Sequence, residues 1–152
     1  MKNQKGFSLI ELLIVVAIIL IIAAIAIPNL IKSKMAANES SAVGSLRTIT
    51  TANIAYSTAC PNIGFSATLV ELNAGATCVA AKGEIDNTLS TGTKSGYSFK
   101  YNPSGTTPET QFQVNANPLT ASSGTRYFFV DESGVIRANS TAAASNTDNA
   151  LQ

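Results

Sequence analysis

Histidine is absent from this chain, and cysteine occurs only twice in 152 residues. The commonest general base and the usual four-ligand zinc arrangements are therefore both missing. Without histidine, a hydrolase would need a Ser–Lys pair as nucleophile and base, and no spacing here suggests one. Charge is scarce too. Charged residues make up 12% and the net charge is +1, too little for a protein that holds nucleic acid through a broad basic surface. A Gly-rich phosphate loop of the Walker type is lacking. No aromatic residue lies between Phe7 and Tyr56, so that stretch offers no continuous aromatic path for electrons. These absences point away from an enzyme and away from any cofactor, toward a structural protein.

What the chain does have is a concentrated apolar run. From Phe7 to Ile27, 19 of 21 residues are apolar, and Leu12 to Ile27 is unbroken. With Leu30 and Ile31 the run reaches the roughly 20 residues needed to cross about 30 Å of hydrocarbon as a helix. Lys2 and Lys5 precede it without a carboxylate, which keeps the start of the chain cytoplasmic. A cleaved secretory signal is the competing reading, and Ala23, Ala24 and Ala26 before Pro28 are a faint imitation of its cut site. The anomaly is Glu11, an acid inside the run, where an ionised carboxylate costs roughly 2.5 to 3.5 kcal/mol. It needs a partner or a route to the interface.

The string Lys5-Gly6-Phe7-Ser8-Leu9-Ile10-Glu11-Leu12-Leu13 resembles the class III signal of type IV prepilins and of the related type II secretion pseudopilins. The likeness is strict over residues 5 to 31 and looser beyond. It implies a leader, residues 1–6, removed by a membrane-embedded prepilin peptidase that cuts between Gly6 and Phe7 and then N-methylates Phe7. It also implies that Glu11 neutralises the amine of Phe7 on a neighbouring subunit as a filament grows. Physics favours that assignment, because two costly charges become one pair, and stranding either typically loses about 3 to 5 kcal/mol.

Pro28 kinks or locally opens a helix that continues past it. The resemblance adds that Ala23 to Leu30 lose helical hydrogen bonds when packed in a fibre. Met35, Ala42, Leu46, Ile49 and Tyr56 share one helical face. One helix is therefore expected from about Ser8 to Ser57, about 75 Å long at 1.5 Å per residue, membrane-spanning over residues 7–31 and amphipathic over 32–58. Its second half calls for a cover, and a small antiparallel sheet of about four strands is the obvious one. This is an α+β arrangement, the pilin fold in the resembled family, where it is ladle-shaped. Lys32, Lys34 and Arg47, with Glu39 between them, read as solvated or inter-subunit charges, because no aromatic interleaves them for base stacking.

Residues 59–95 form a connecting loop with Cys60 and Cys78, on the non-cytoplasmic side of the anchor. A disulfide fits that compartment and would stabilise a small head by about 3 kcal/mol in chain-entropy terms; free thiols or half a metal site are the alternatives. Many pilins carry their bridge nearer the C-terminus, so a receptor-facing role does not transfer to this one. A short helix is expected over Ser66 to Asn73, ending near Gly75. Residues 96–138 supply the sheet: Tyr97 to Tyr101 and Phe112 to Ala116 alternate, and Arg126 to Val130 meets Val135 to Ala138 across Asp131-Glu132-Ser133-Gly134. Asp131 and Glu132 are a calcium candidate, although adjacent carboxylates are ordinary turn chemistry. Residues 139–152 read as a flexible tail. Asn38 and Asn139 open Asn-x-Ser/Thr triplets that could accept glycans.

The resulting expectation is a structural subunit of a type IV pilus, the major pilin, homo-oligomeric in a helical filament. The precursor sits in the inner membrane before assembly, and the finished fibre stands on the cell surface. An assembly platform and separate ATPase motors would be partners. The alternatives are a pseudopilin of a type II secretion system, or a minor pilin acting as a receptor or DNA-binding module, whose mark would be a basic or aromatic patch on the head.

Overall fold

The computed structural model describes residues 6–81 and 83–151. The expected leader is therefore described only at Gly6, with Met1 to Lys5 outside the described residues. The chain divides into two units, Met1–Lys34 and Met35–Gln152.

Helix α1 (Leu9–Ala59) belongs to both units and is one helix with Pro28 inside it. As expected, the helix continues past Pro28. Proline lacks an amide hydrogen, so the carbonyl of Ala24 loses its helical donor, but the helix runs on through Asn29, Leu30 and Ile31. In the first unit every large apolar side chain from Phe7 to Ile31 is exposed, by 42% to 82%. Such a surface is stable in hydrocarbon or against another apolar rod, because water exacts roughly 25 cal/mol for each Å² left exposed.

The second unit is built on the C-terminal half of α1. Ala42, Leu46, Ile49 and Tyr56 of the expected face are fully buried, whereas Met35 is half-buried. Glu39 and Asn53 occupy the same stripe and are buried at 7% and 0% exposure, which makes it a stripe of spacing four and three with two polar members.

Five antiparallel strands pack on that face in chain order: β1 (Thr93–Lys94), β2 (Tyr97–Pro103), β3 (Phe112–Pro118), β4 (Tyr127–Asp131) and β5 (Arg137–Asn139). The count exceeds the expected four by β1. It pairs with Tyr97 and Ser98 across Ser95 and Gly96, both at positive φ, 49° and 75°. A two-residue loop of this kind suits the twist of a hairpin, and so short a strand carries no alternating apolar pattern. Tyr97, Phe99, Phe112, Val114, Ala116, Phe128 and Val130 face the helix and form one core with it. Arg126 falls outside β4, and Val135 and Ile136 precede β5. The Asp131 to Gly134 turn is present, with the Gly134 amide donating to the Asp131 carbonyl at 3.0 Å.

The loop before the sheet holds α2 (Leu69–Ala74), N-capped by Thr68 and ended by Gly75 at φ 60°. A 3-10 turn (Val79–Ala81) and α3 (Asn87–Ser90) follow. Cys60 and Cys78 are joined in a disulfide, with Cα atoms 6.1 Å apart. That settles the cysteine alternatives: the bridge ties the end of α1 to the loop.

The segment expected to be a flexible tail is folded back, which corrects that reading. The Ala138 amide donates to the Asn149 carbonyl at 3.1 Å, and the Leu151 amide to the Ile136 carbonyl at 2.8 Å. Ala144 is 3% exposed. Composition suggested mobility because large apolar side chains are few, but here backbone hydrogen bonds to a strand edge supply the anchorage.

Candidate assembly site at the start of the helix

Gly6, Phe7 and Ser8 are non-helical and exposed, and the helix begins immediately after them. Ser8 occupies the N-cap and Glu11 the third helical position. The Ser8 amide donates to Glu11 Oε2 at 2.9 Å, Ser8 Oγ accepts from the Ile10 amide at 3.4 Å, and the Leu12 amide reaches the Ser8 carbonyl at 3.3 Å. Ser-Leu-Ile-Glu is thus a capping box, in which serine and acid each satisfy amides at the helix start that have no intrahelical partner. A negative charge is also favoured there by the helix dipole. Sequence reasoning singled out Glu11 but missed the cap at Ser8, although the S-x-x-E spacing was available.

The capping box fixes where the acid can act. Glu11 is held at the N-terminal end of the rod, four residues from Phe7, and its Oε1 makes no hydrogen bond among the described residues. One oxygen is engaged by the chain's own backbone, and the other keeps its lone pairs for a further donor. Gly6 has open space where a side chain would stand, with nothing within 4 Å of a built Cβ. Glycine is therefore not demanded at position 6 by packing within the described chain.

The remaining candidates do not gather into a second site. Lys32, Lys34 and Arg47 are exposed. Glu39, expected to be solvated, is instead buried. Its Oε1 accepts from the Thr125 amide at 2.8 Å, Thr125 Oγ1 at 3.0 Å and the Arg126 amide at 3.2 Å, and its Oε2 from Arg126 Nε at 2.8 Å. Burial alone would raise its pKa, but the Thr125 and Arg126 donors outweigh it and hold the carboxyl below the ordinary range. Asp131 Oδ1 is occupied within its own turn by the Ser133 amide and hydroxyl. No group of three His, Cys, Asp or Glu side chains suited to a metal occurs among the described residues. Both candidate glycan acceptors have their amide nitrogens engaged, Asn38 with the Ser123 carbonyl and Asn139 with Asp148 Oδ1, each at 2.9 Å.

Residues 1–27 match the family pattern described as the prokaryotic N-terminal methylation motif. The chain is 62% identical over 39 residues to the type IV wide pilus major component PilA4 of Thermus thermophilus, a stretch covering 26% of this chain and 30% of that one. It is 50% identical over 54 residues to the type IV major pilin protein PilA of Myxococcus xanthus, covering 36% and 24%. This N-terminal stretch is therefore similar to that of type IV pilins. The segment is also 79% identical over 29 residues to a fimbrial protein of Pseudomonas aeruginosa, covering 19% of each chain. The matched stretches thus span less than a third of these relatives' own lengths. No solved structure matches.

Proposed function

We propose that the chain is the major structural subunit of a type IV pilus, polymerising through α1. The observation that carries the reading is Glu11, held by its own capping box at the end of a rod whose large apolar side chains from Phe7 to Ile31 are all exposed. Cleavage between Gly6 and Phe7 creates an amine at the same end of the rod. That amine, methylated on Phe7, is the counter-ion for Glu11 of the adjoining copy. In a low dielectric, breaking such a pair costs far more than it would in water, so growth proceeds only when the two ends are in register. The prepilin peptidase, an assembly platform and separate ATPase motors act on the chain, which has no phosphate loop of its own. The precursor resides in the inner membrane, and the filament stands outside the cell.

The head gives little support to a DNA-binding minor subunit. Residues 35–152 contain six basic and eight acidic residues, and among the described residues of that unit no aromatic side chain is exposed. Base stacking lacks an exposed ring there, and the acidic excess disfavours a polyanion.

The test is electron microscopy of sheared surface material together with mass spectrometry of its most abundant protein. The reading requires filaments composed mainly of this chain, with a mature mass beginning at methylated Phe7. Recovery of this chain as a trace component, or with residues 1–6 attached, overturns it.

A further inference from the structure

Strand β4 alternates across the sheet, so Phe128 and Val130 enter the core while Phe129 points to the opposite face. Phe129 is nevertheless only 3% exposed, and it is not part of the core cluster. Its ladder neighbours explain the burial. Asn115 and Arg137 stand directly opposite Phe129 on β3 and β5, so the three side chains share one face. Asn115 Nδ2 donates to the Ala144 carbonyl at 2.8 Å, and an Arg137 guanidinium nitrogen to the Asp148 carbonyl at 2.9 Å. Residues 144 to 148 therefore cross above Phe129. Residues 149 to 151 then pair along the outer edge of β5, with an antiparallel bridge between Arg137 and Ala150.

We infer that residues 140–151 are a detachable strap, and that the Phe129 face with the β5 edge is a docking surface for the same strap from a second copy of this chain. Three features support exchange. First, little apolar surface holds the strap: of its apolar residues Ala144 is buried, Leu151 is half-buried and Ala142, Ala143 and Ala150 are exposed, so its ties are mainly hydrogen bonds with Asn115, Ile136, Arg137, Ala138 and Asn139. Segments with few apolar contacts open at low cost. Arg137 Nε is also buried with no acceptor among the described residues, so the closed arrangement leaves a donor unmet. Second, what lies beneath is adhesive, since an uncovered strand edge and an exposed phenyl ring recruit another chain. Third, the segment that fits this surface best is present on every copy, and residues 140–143 form an exposed connection that can redirect it. Exchange of identical elements is a low-cost route to association. An apolar rod confines copies to one bilayer or one micelle, which raises their effective concentration.

The experiment uses the full chain in detergent micelles with the Cys60–Cys78 bridge intact. Copies carrying Asn115→Cys are mixed with size-tagged copies carrying Ala144→Cys and then oxidised. Exchange yields disulfide-linked heterodimers several-fold above a mixture in which Thr106→Cys, at an exposed loop position, replaces Ala144→Cys. A double variant, Asn115→Cys with Ala144→Cys, should close its bridge within one chain. Heterodimers at the control level overturn the exchange, and failure of the double variant to close overturns the strap itself. Neither result touches the fibre reading, because the micelle supplies the encounter.

Discussion

The carboxylate of Glu39 lies 2.8 Å from Nε of Arg126, a residue 87 positions further along the chain. This contact joins α1 to the β3–β4 loop. It is reinforced by three donors onto the other carboxylate oxygen and by Asn38 Nδ2, which donates to the Ser123 carbonyl at 2.9 Å. Gly124 belongs to the same loop. A Cβ there would stand 2.1 Å from the Tyr97 hydroxyl, which donates to the Arg126 carbonyl at 2.8 Å. The loop can therefore close on the helix only with glycine at that position.

Glu39→Ala leaves the Thr125 and Arg126 amides without an acceptor, and the expected loss is about 1–3 kcal/mol. The Arg126 side chain is 45% exposed, so its charge is partly screened and the estimate stays below that for a fully buried pair. Chemical unfolding of the full chain in detergent, followed by circular dichroism, measures this. A change within 0.3 kcal/mol, an order-of-magnitude threshold for surface substitutions, counts against the latch.

The same carboxylate gives the head a pH dependence. Its folded pKa is lowered from an ordinary value of 4.5, so its contribution is fully present above that value. It is lost as pH falls through the lowered folded value, because the unfolded chain takes up the proton first. The unfolding midpoint should therefore drop on acidification below about pH 4.5, and Glu39→Gln should flatten that drop. Asp86, lowered by Lys94 and the Leu89 amide, and Asp148, lowered mainly by the Ser145 amide, retain the remainder. An identical acid slope in the variant and the parent would refute the assignment to Glu39.

Asn53 is the other polar member of the stripe. Its Oδ1 accepts from the Ser66 amide at 3.1 Å, Ser66 Oγ at 3.0 Å and the Tyr101 hydroxyl at 3.1 Å. Burial pushes the Tyr101 hydroxyl up to about 12, so it stays a donor at any physiological pH. Asn53→Leu keeps the branched shape in a larger side chain and removes the acceptor of the buried Ser66 amide and hydroxyl, while the Tyr101 hydroxyl keeps the Ser66 carbonyl at 2.8 Å. A loss of about 2–3 kcal/mol is expected, read as the midpoint of thermal unfolding. A stability gain would show that the network is dispensable.

At the other end of the chain, Glu11→Val should leave the precursor inserted and processed while sharply reducing filament yield, and Gly6→Ser should leave the leader attached. Ser8→Ala removes the N-cap, worth about 0.5–2 kcal/mol, and should speed amide exchange in the first turn without unfolding the head. Wild-type filament yield from Glu11→Val, measured in sheared fractions, would remove the charge-pairing role.

The features most visible in the sequence were those with a strong periodic or solvent-driven signal. The apolar run, the face Ala42-Leu46-Ile49-Tyr56 and the alternation of Tyr97-Phe99 and Phe112-Val114 each follow from where water is excluded, and each stands where expected. Glu39 and Asn53 were hidden because a polar residue on a helix looks solvated until its distant partners are known. The strap was missed for a related reason: Ala, Ser, Asn and Thr carry no burial signal, and an edge pairing made by backbone groups leaves no mark in the side chains. Ser8 was legible in principle, since a serine three residues before an acid at the start of an apolar run is a capping signature.

Strand order in the sheet follows chain order without a crossover, and this bears on how the head comes together. Each strand finds its neighbour within a short loop, so pairing can proceed from β1 onward at small entropic cost. The contacts that span the greatest stretch are those from Asn38 and Glu39 to Ser123, Thr125 and Arg126. The sheet can thus pair most of its strands while the helix face beneath it is still uncovered, and the closing of one loop on Glu39 then fastens the sheet to the C-terminal half of α1.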